Sequence, residues 1–295
     1  MLLLDKPVGI TSNHALQVVK RLFRAEKGGH AGTLDPLASG LLPVLLGDAT
    51  RFSGYLLDAA KCYEAQIKLG VTTTTADAEG EIIERRPVAV SPAEVAAVAA
   101  RFVGTQSQVP PMHSALKRDG TPLYVLARRG ETVDRARRTI QIHSIDVLSF
   151  AEDHLALRVA CSKGTYIRTL AEDIGAALGC GAHLAGLRRT ATASFQLAEA
   201  TTLDELAAVS EEGRDALLKP ADVILGQLAR VDLEATAQAR FCQGQAIPHS
   251  SIPGGVCRVY GADGRFLGLA EERLAGWLAP KRLLAESKPA GSPTG

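Results

Sequence analysis

The sequence predicts an α+β (mixed α/β) protein with a small β-rich module at the C-terminal end. Three observations carry this expectation. Stretches of strict apolar–polar alternation, such as Lys61–Leu69 and His154–Cys161, are interleaved with helical stretches of 3.6-residue period. Beyond Leu187 the helical signal thins, and turns rich in Gly and Pro separate short β-like runs. No Gly-x-x-x-x-Gly-Lys-Ser/Thr loop and no Gly-x-Gly-x-x-Gly after a strand is present, so a doubly wound nucleotide fold is not indicated.

The elements follow in order. Ser12 or Asn13 can cap a helix running to about Arg24, with Leu16, Val19 and Phe23 on one face. A glycine-rich loop runs from Gly28 to Gly40, followed by the apolar run 41–46 and a helix expected over 49–57. In Lys61–Leu69, Tyr63, Ala65, Ile67 and Leu69 share one face and Cys62, Glu64, Gln66 and Lys68 the other, as in a half-buried strand. Ser91-Pro92-Ala93-Glu94 is a helix start with a capping box, and Gly104 marks the stop. A turn-rich basic stretch, 109–138, precedes strands near 139–150 and at His154–Cys161. A helix is expected over 165–178, with Ile167, Leu170, Ile174 and Leu178 inward and Gly179 ending it. A further helix is expected over 203–209, a linker near 220–235, the β-rich module to about Leu284, and a disordered tail over 286–295.

The 295 residues are 46% hydrophobic and 22% charged, enough for about two domains and unlike a disordered or collagen-like chain. No apolar run approaches the roughly 18–20 residues of a membrane span. Met-Leu-Leu-Leu-Asp-Lys-Pro meets a charge too soon for a signal peptide. Five cysteines without a Cys-x-x-Cys pair read as reduced thiols of a cytoplasmic protein, with no metal site.

The net charge of +1 conceals an uneven distribution. Residues 1–190 carry 23 basic and 19 acidic side chains, whereas residues 191–295 carry 10 and 13. The segment from Lys117 to Arg138 alone holds seven basic and three acidic residues. Such a stripe on a near-neutral chain suits nucleic-acid binding; a solvated helix and loop is the other reading.

The absence of any cofactor fingerprint favours a redox-neutral reaction run by side chains, or no reaction. The loop from Gly29 to Gly40 holds the most unusual chemistry. Asp35 precedes Pro36, which pushes it towards an extended conformation and lets its carboxylate face a cleft; an Asx-type turn is the alternative.

Gly29-His30-Ala31-Gly32-Thr33-Leu34-Asp35-Pro36-Leu37-Ala38-Ser39-Gly40 resembles the signature loop of the TruB-type pseudouridine synthases, the bacterial tRNA pseudouridine-55 synthases. Further motifs match in order: Leu4-Asp5-Lys6-Pro7-x-Gly9-x-Thr11-Ser12, Lys61-x-Tyr63, Pro110-Pro111-Met112-His113-Ser114-Ala115-Leu116-Lys117, Cys161-Ser162-Lys163-Gly164-Thr165-Tyr166-Ile167-Arg168-Thr169-Leu170, and Gly181-Ala182-His183-Leu184 with Leu187-Arg188-Arg189. The likeness is strong over residues 2–200 and looser over 230–284, where the family carries a PUA-like RNA-binding module. His113 departs from the family's more frequent tyrosine, and Arg51 from the commoner lysine.

The resemblance implies a pseudouridine synthase catalytic domain over 1–220, built on a mixed β-sheet flanked by helices, with a basic RNA-gripping insertion at about 110–138, and a PUA-like RNA-binding module over 230–284. It implies isomerisation of uridine 55 in the T arm of tRNA, without cofactor or metal, by a cytoplasmic protein expected to be monomeric. Asp35 is then the catalytic carboxylate and Arg168 its partner, needed because burial alone would raise the carboxyl pKa. Tyr63 stacks on the target base and is a candidate for proton transfer; Tyr166 and Leu187 line the uridine pocket. His30 contacts the RNA where the base leaves the stack. Lys117, Arg128, Arg129, Arg188 and Arg189 are candidates for phosphate contacts. Three other readings stand beside this one: a non-catalytic RNA binder, a glycosidase, for which Asp35 lacks an obvious second carboxylate, and a guide-RNA-dependent synthase, for which long basic extensions are lacking.

Overall fold

The computed structural model describes residues 1–114, 116–249, 254–274 and 276–284. The tail expected over 286–295 lies outside the described residues. A large mixed sheet organises the chain, in the order Thr201–Thr202, Leu2–Lys6, Ala38–Leu46, Ala182–Thr192, Lys61–Leu69, His154–Cys161, Arg138–Ala151 and Gly104–Gln108. Ala182–Thr192 runs parallel to Ala38–Leu46 and antiparallel to Lys61–Leu69, so the sheet is mixed at its centre. That register sets Leu187 opposite Ala38 and Ala65, and Arg189 opposite Gly40 and Tyr63.

The alternation in Lys61–Leu69 has the expected consequence. Ala65, Ile67 and Leu69 are buried under the helices Pro92–Arg101 and Ile167–Ala177, packed with Val95, Val98, Leu170 and Ile174. Beside them, Ser12–Leu22 buries Ala15, Leu16 and Val19 against Leu2, Leu4 and Val44. The central strands are thus covered by two helical groups.

Local signals account for most boundaries, with four differences. Thr11, not Ser12 or Asn13, caps the first helix, its hydroxyl accepting from His14 N at 3.1 Å. Ser12 is instead buried beneath the glycine-rich loop. That loop is shorter than expected, because Gly28–His30 pairs as a strand with Ala38–Leu46. The expected helix over 49–57 is a 3-10 turn, Gly47–Phe52, followed by the short helix Ser53–Leu57. Within the basic stretch, where turns are expected, a helix, Leu123–Arg128, buries Leu123. The capping box at Ser91/Glu94 is formed as the sequence suggests, and a second one, Thr202/Glu205, starts the helix Leu203–Ala208.

A second sheet, Arg230–Asp232, Val256–Tyr260, Phe266–Leu274, Trp277–Leu283 and Ile247–Pro248, encloses Val231, Phe241, Cys257, Val259 and Leu278. No free linker occupies 220–235. Ala221–Leu225 is a 3-10 turn whose Ile224 and Leu225 are buried with Leu41, Leu45 and Phe52, and Arg230–Asp232 is an edge strand of the second sheet. Burial of the apolar side chains of this segment ties it into the fold in place of the expected linker. Phe266 of the second sheet stands 5.7 Å from Phe52, ring centre to ring centre, and Arg51 donates to Leu283 O at 3.1 Å. None of the five cysteines forms a disulfide.

Candidate active site

The glycine-rich loop is held from below by the N-terminal motif. The Ser12 hydroxyl donates to Leu34 O at 3.0 Å and accepts from Leu34 N at 2.8 Å, and Gly9 N donates to Pro36 O at 2.8 Å. Leu34 is buried, which anchors the residue before Asp35. Asp35 O accepts from Ala38 N at 3.0 Å, closing a turn with Pro36 at its second position. The backbone carbonyl makes this turn, so the carboxylate is not used in it. Lys6, fully buried, donates to Pro7 O and Ile10 O at 2.8 and 2.7 Å, and burial holds its ammonium down to about 8.

Asp35 reaches Arg168 at 3.1 Å. The two side chains differ in exposure: 45% for Asp35 and 7% for Arg168. The carboxylate is therefore presented to the cleft while its guanidinium stays in the wall. Arg168 lies in the first turn of Ile167–Ala177 and also donates to His113 O at 2.6 Å and meets Asp77 at 3.3 Å. Desolvation pushes the Asp35 carboxyl above its usual value. Arg168 opposes this, Asp77 adds to it, and Lys6 and His113 oppose it more weakly.

Two connected cavities meet at this pair. The inner one, about 340 Å³, is lined by Tyr63, Tyr166, Leu187, Lys61 and Arg189 as well as by Asp35 and Arg168. The outer one, about 510 Å³, opens past His30, Thr75, Asp77, Tyr124 and Arg128. Burial raises the Tyr63 phenol, opposed by the adjacent Arg189 guanidinium, which leaves a neutral hydroxyl in the inner cavity. Burial and Arg189 lower the His30 imidazole, whose Nδ1 is buried and unpaired. Gln108 clamps the Tyr166 backbone, accepting from its N at 3.0 Å and donating to its O at 3.3 Å. A larger cavity, about 820 Å³, lies near Tyr55, Asp58, Ile224 and Arg282, but Asp35 does not line it. Chemistry, not volume, locates the site.

Residues 20–167 match the family described as TruB family pseudouridylate synthase (N terminal domain). Residues 168–226 match the tRNA pseudouridylate synthase B C-terminal domain, and residues 229–284 match Pseudouridine synthase II TruB, C-terminal. The chain belongs to the TruB family of pseudouridylate synthases. It is 54% identical over 291 residues to the tRNA pseudouridine synthase B of Burkholderia mallei (strain NCTC 10247), covering 96% of each chain. To the tRNA pseudouridine synthase B of Ralstonia nicotianae (strain ATCC BAA-1114 / GMI1000) it is 55% identical over 294 residues, covering 96% of this chain and 93% of that one. A chain from the crystal structure of a Cbf5-Nop10-Gar1 complex superposes with a TM-score of 0.71 at 28% identity, over 96% of this chain and 84% of that one. Among the described residues no helix is long and apolar enough to cross a membrane, and no cluster of potential metal ligands is found.

The TruB motifs converge on one place, with two corrections to the expected phosphate contacts. Arg189 is 1% exposed: it donates to Leu41 O at 2.7 Å and Gly32 O at 3.0 Å, and so braces the Asp35 loop from inside. Its guanidinium is committed to these two carbonyls in the wall of the inner cavity and is not part of the exposed basic surface. Arg188, one residue earlier on the same strand, projects to the other face of the sheet and pairs with Asp5 at 2.6 Å. Arg128 does line the outer cavity, its guanidinium 5.6 Å from the Tyr124 ring centre. Lys117 and Arg129 are exposed on the same insertion without lining either cavity.

Sequence reasoning missed Asp77. It is 2% exposed, accepts from the Thr75 hydroxyl and from Glu79 N at 3.1 Å, and pairs with Arg168. The run of four threonines before Ala76-Asp77 reads as a plain loop, yet Ala76 adopts φ +60° and the loop is stitched to Leu184 through Ala76 O and Ala78 N. The Asp77–x–Glu79–Gly80 turn chemistry was the available signal. Asp77 is the second carboxylate that the sequence did not reveal, but its oxygens are committed to the wall. At His113, the departure from the family's tyrosine, the contact to Arg168 is made by the main-chain oxygen, and the residue lines both cavities.

Proposed function

We propose that this synthase converts uridine 55 in the T arm of tRNA to pseudouridine, with Asp35 as the carboxylate at the reacting sugar. The observation that carries the reading is the Asp35–Arg168 pair at the meeting of an aromatic-lined inner cavity and an outer cavity with a basic rim. Relatives sharing more than half of its residues bear the name tRNA pseudouridine synthase B, which supports tRNA as substrate.

The reaction breaks the N1–C1′ bond, turns the uracil and forms a C5–C1′ bond; the hydrogen lost from C5 is balanced by one gained at N1. Atoms are conserved, and side chains suffice. The glycosidic bond is inaccessible within folded RNA, so the nucleotide leaves the stack at a cost of a few kcal/mol. Stacking on Tyr63 offsets about 1–3 kcal/mol of that. Tyr166 and Leu187 close the pocket and retain the free base while it turns. His30 stands where the base departs, and Lys117, Arg128 and Arg129 hold phosphates. Residues 1–220 act as the catalytic domain and 230–284 as an RNA-binding module, in a monomer.

The test is incubation of the purified protein with unmodified tRNA transcript and mapping of pseudouridine at single-nucleotide resolution. Modification at position 55 alone is expected, lost in Asp35→Asn with tRNA affinity kept within about tenfold, since phosphate contacts dominate binding. Turnover by Asp35→Asn would remove that residue from its role.

A further inference from the structure

The inner and outer cavities share Thr33, Leu34, Asp35, His113, Ser114 and Arg168. Among these, Ser114 is 5% exposed, and its hydroxyl is buried without a hydrogen-bond partner. Its backbone is fully engaged: Ser114 N donates to Met112 O at 2.9 Å, and Ser114 O accepts from Tyr124 N at 3.1 Å. The preceding carbonyl holds Arg168. The hydroxyl is therefore fixed at the junction of the cavities. The Tyr166 phenol is in polar contact with it but without hydrogen-bond geometry. A buried hydroxyl left unpaired is costly, which points to a group that arrives with the substrate.

This inference rests on the proposed function. A nucleotide with its base beside Tyr63 and Leu187, and its phosphates beyond His30 and towards Arg128, carries its ribose across the junction, against Asp35 and Ser114. Of the ribose oxygens internal to an RNA strand, the 2′-hydroxyl alone both donates and accepts, as a serine hydroxyl does. We propose that Ser114 Oγ hydrogen-bonds the 2′-hydroxyl of the target nucleotide, making Ser114 a specificity residue that distinguishes a ribonucleotide from a deoxyribonucleotide at the reacting position.

A four-way cycle tests this. The parent protein and Ser114→Ala are each assayed on stem-loop RNAs carrying uridine or 2′-deoxyuridine at the target, recording single-turnover rate and equilibrium affinity. The affinity arm reports even if the deoxy substrate does not react. Either deletion alone is expected to weaken the measured quantity about tenfold, and both together no more than about twofold further. Ser114→Cys, close in shape and only a weak donor, is expected to follow alanine and guards against a folding defect of the smaller residue. Equal losses by Ser114→Ala on both RNAs, or no loss on either, overturn the assignment; the first result would return the hydroxyl to a role in supporting Tyr166. Pseudouridine formation by the parent on the all-ribose RNA tests the underlying function separately.

Discussion

The Asp35 carboxylate and the Arg168 guanidinium lie 3.1 Å apart across a solvent boundary, the acid on the cleft side and the base within the wall. The buried partner is held by Asp77 and by His113 O, so the ion pair orients Asp35 without occupying the space a substrate needs. Arg168→Met removes this orientation and leaves Asp77 buried without its cation. A stability loss of about 3–5 kcal/mol is expected on denaturant titration, with activity reduced well beyond the fraction unfolded. Arg168→Lys retains charge but not the three-way geometry, and is expected to recover stability more than turnover.

The pH dependence follows from the balance at Asp35. Its carboxyl pKa is raised, desolvation being the largest cause; in the proposed mechanism the ionised form is the active one. Activity is therefore present above that raised pKa and lost as pH falls through it, at a higher pH than an ordinary aspartate would give. Asp77→Asn removes a negative neighbour that pushes the Asp35 pKa up. The acid limb of kcat/KM is expected to move to lower pH while the plateau falls, because Arg168 loses its second anchor. A limb that stays in place would show that Asp35 does not govern it.

Arg189 and the pair Arg128 and Arg129 separate architecture from RNA binding. Arg189→Gln is expected to lower the melting temperature, because Leu41 O and Gly32 O lose their donor, while leaving the salt dependence of tRNA affinity unchanged. Replacing Arg128 and Arg129 by glutamine is expected to do the reverse. The slope of log affinity against log salt should fall by about one for each phosphate left without its arginine, with little change in melting.

Gly40 has φ +100°, and a Cβ there would stand 2.3 Å from Arg189 O, a backbone atom that cannot step aside. Gly40→Ala is expected to cost about 3 kcal/mol or more by thermal denaturation.

His113→Tyr leaves the main-chain contact to Arg168 intact. Its kcat/KM is expected to stay within about threefold of the parent.

Much of the architecture was legible because it rests on local rules. The alternation of Lys61–Leu69 assigns Tyr63, Ala65 and Ile67 to one face whatever the partner strands, and the Ser91/Glu94 box starts a helix by short-range bonds. The proline after Asp35 and the glycines around its loop left a cleft-facing carboxylate and an Asx-type turn both open, and the resemblance of the loop to the TruB signature singled Asp35 out. Arg189 could not be judged in this way: its exposure depends on the pairing of Ala182–Thr192 with strands more than a hundred residues away in sequence. The same distance hid Asp77, which meets Arg168 ninety-one residues later.

What the chain determines on its own is the set of elements and the motif-bearing loop, since periodicity, caps and turn residues act over a few positions; the candidate carboxylate is what the loop's resemblance to the TruB family implies. Tertiary packing decided which arginine faces the cleft, which braces it from within and which lies on the far side of the sheet. Three arginines of equal charge take these different roles because strand register and burial, set by long-range pairing, determine what each guanidinium can reach.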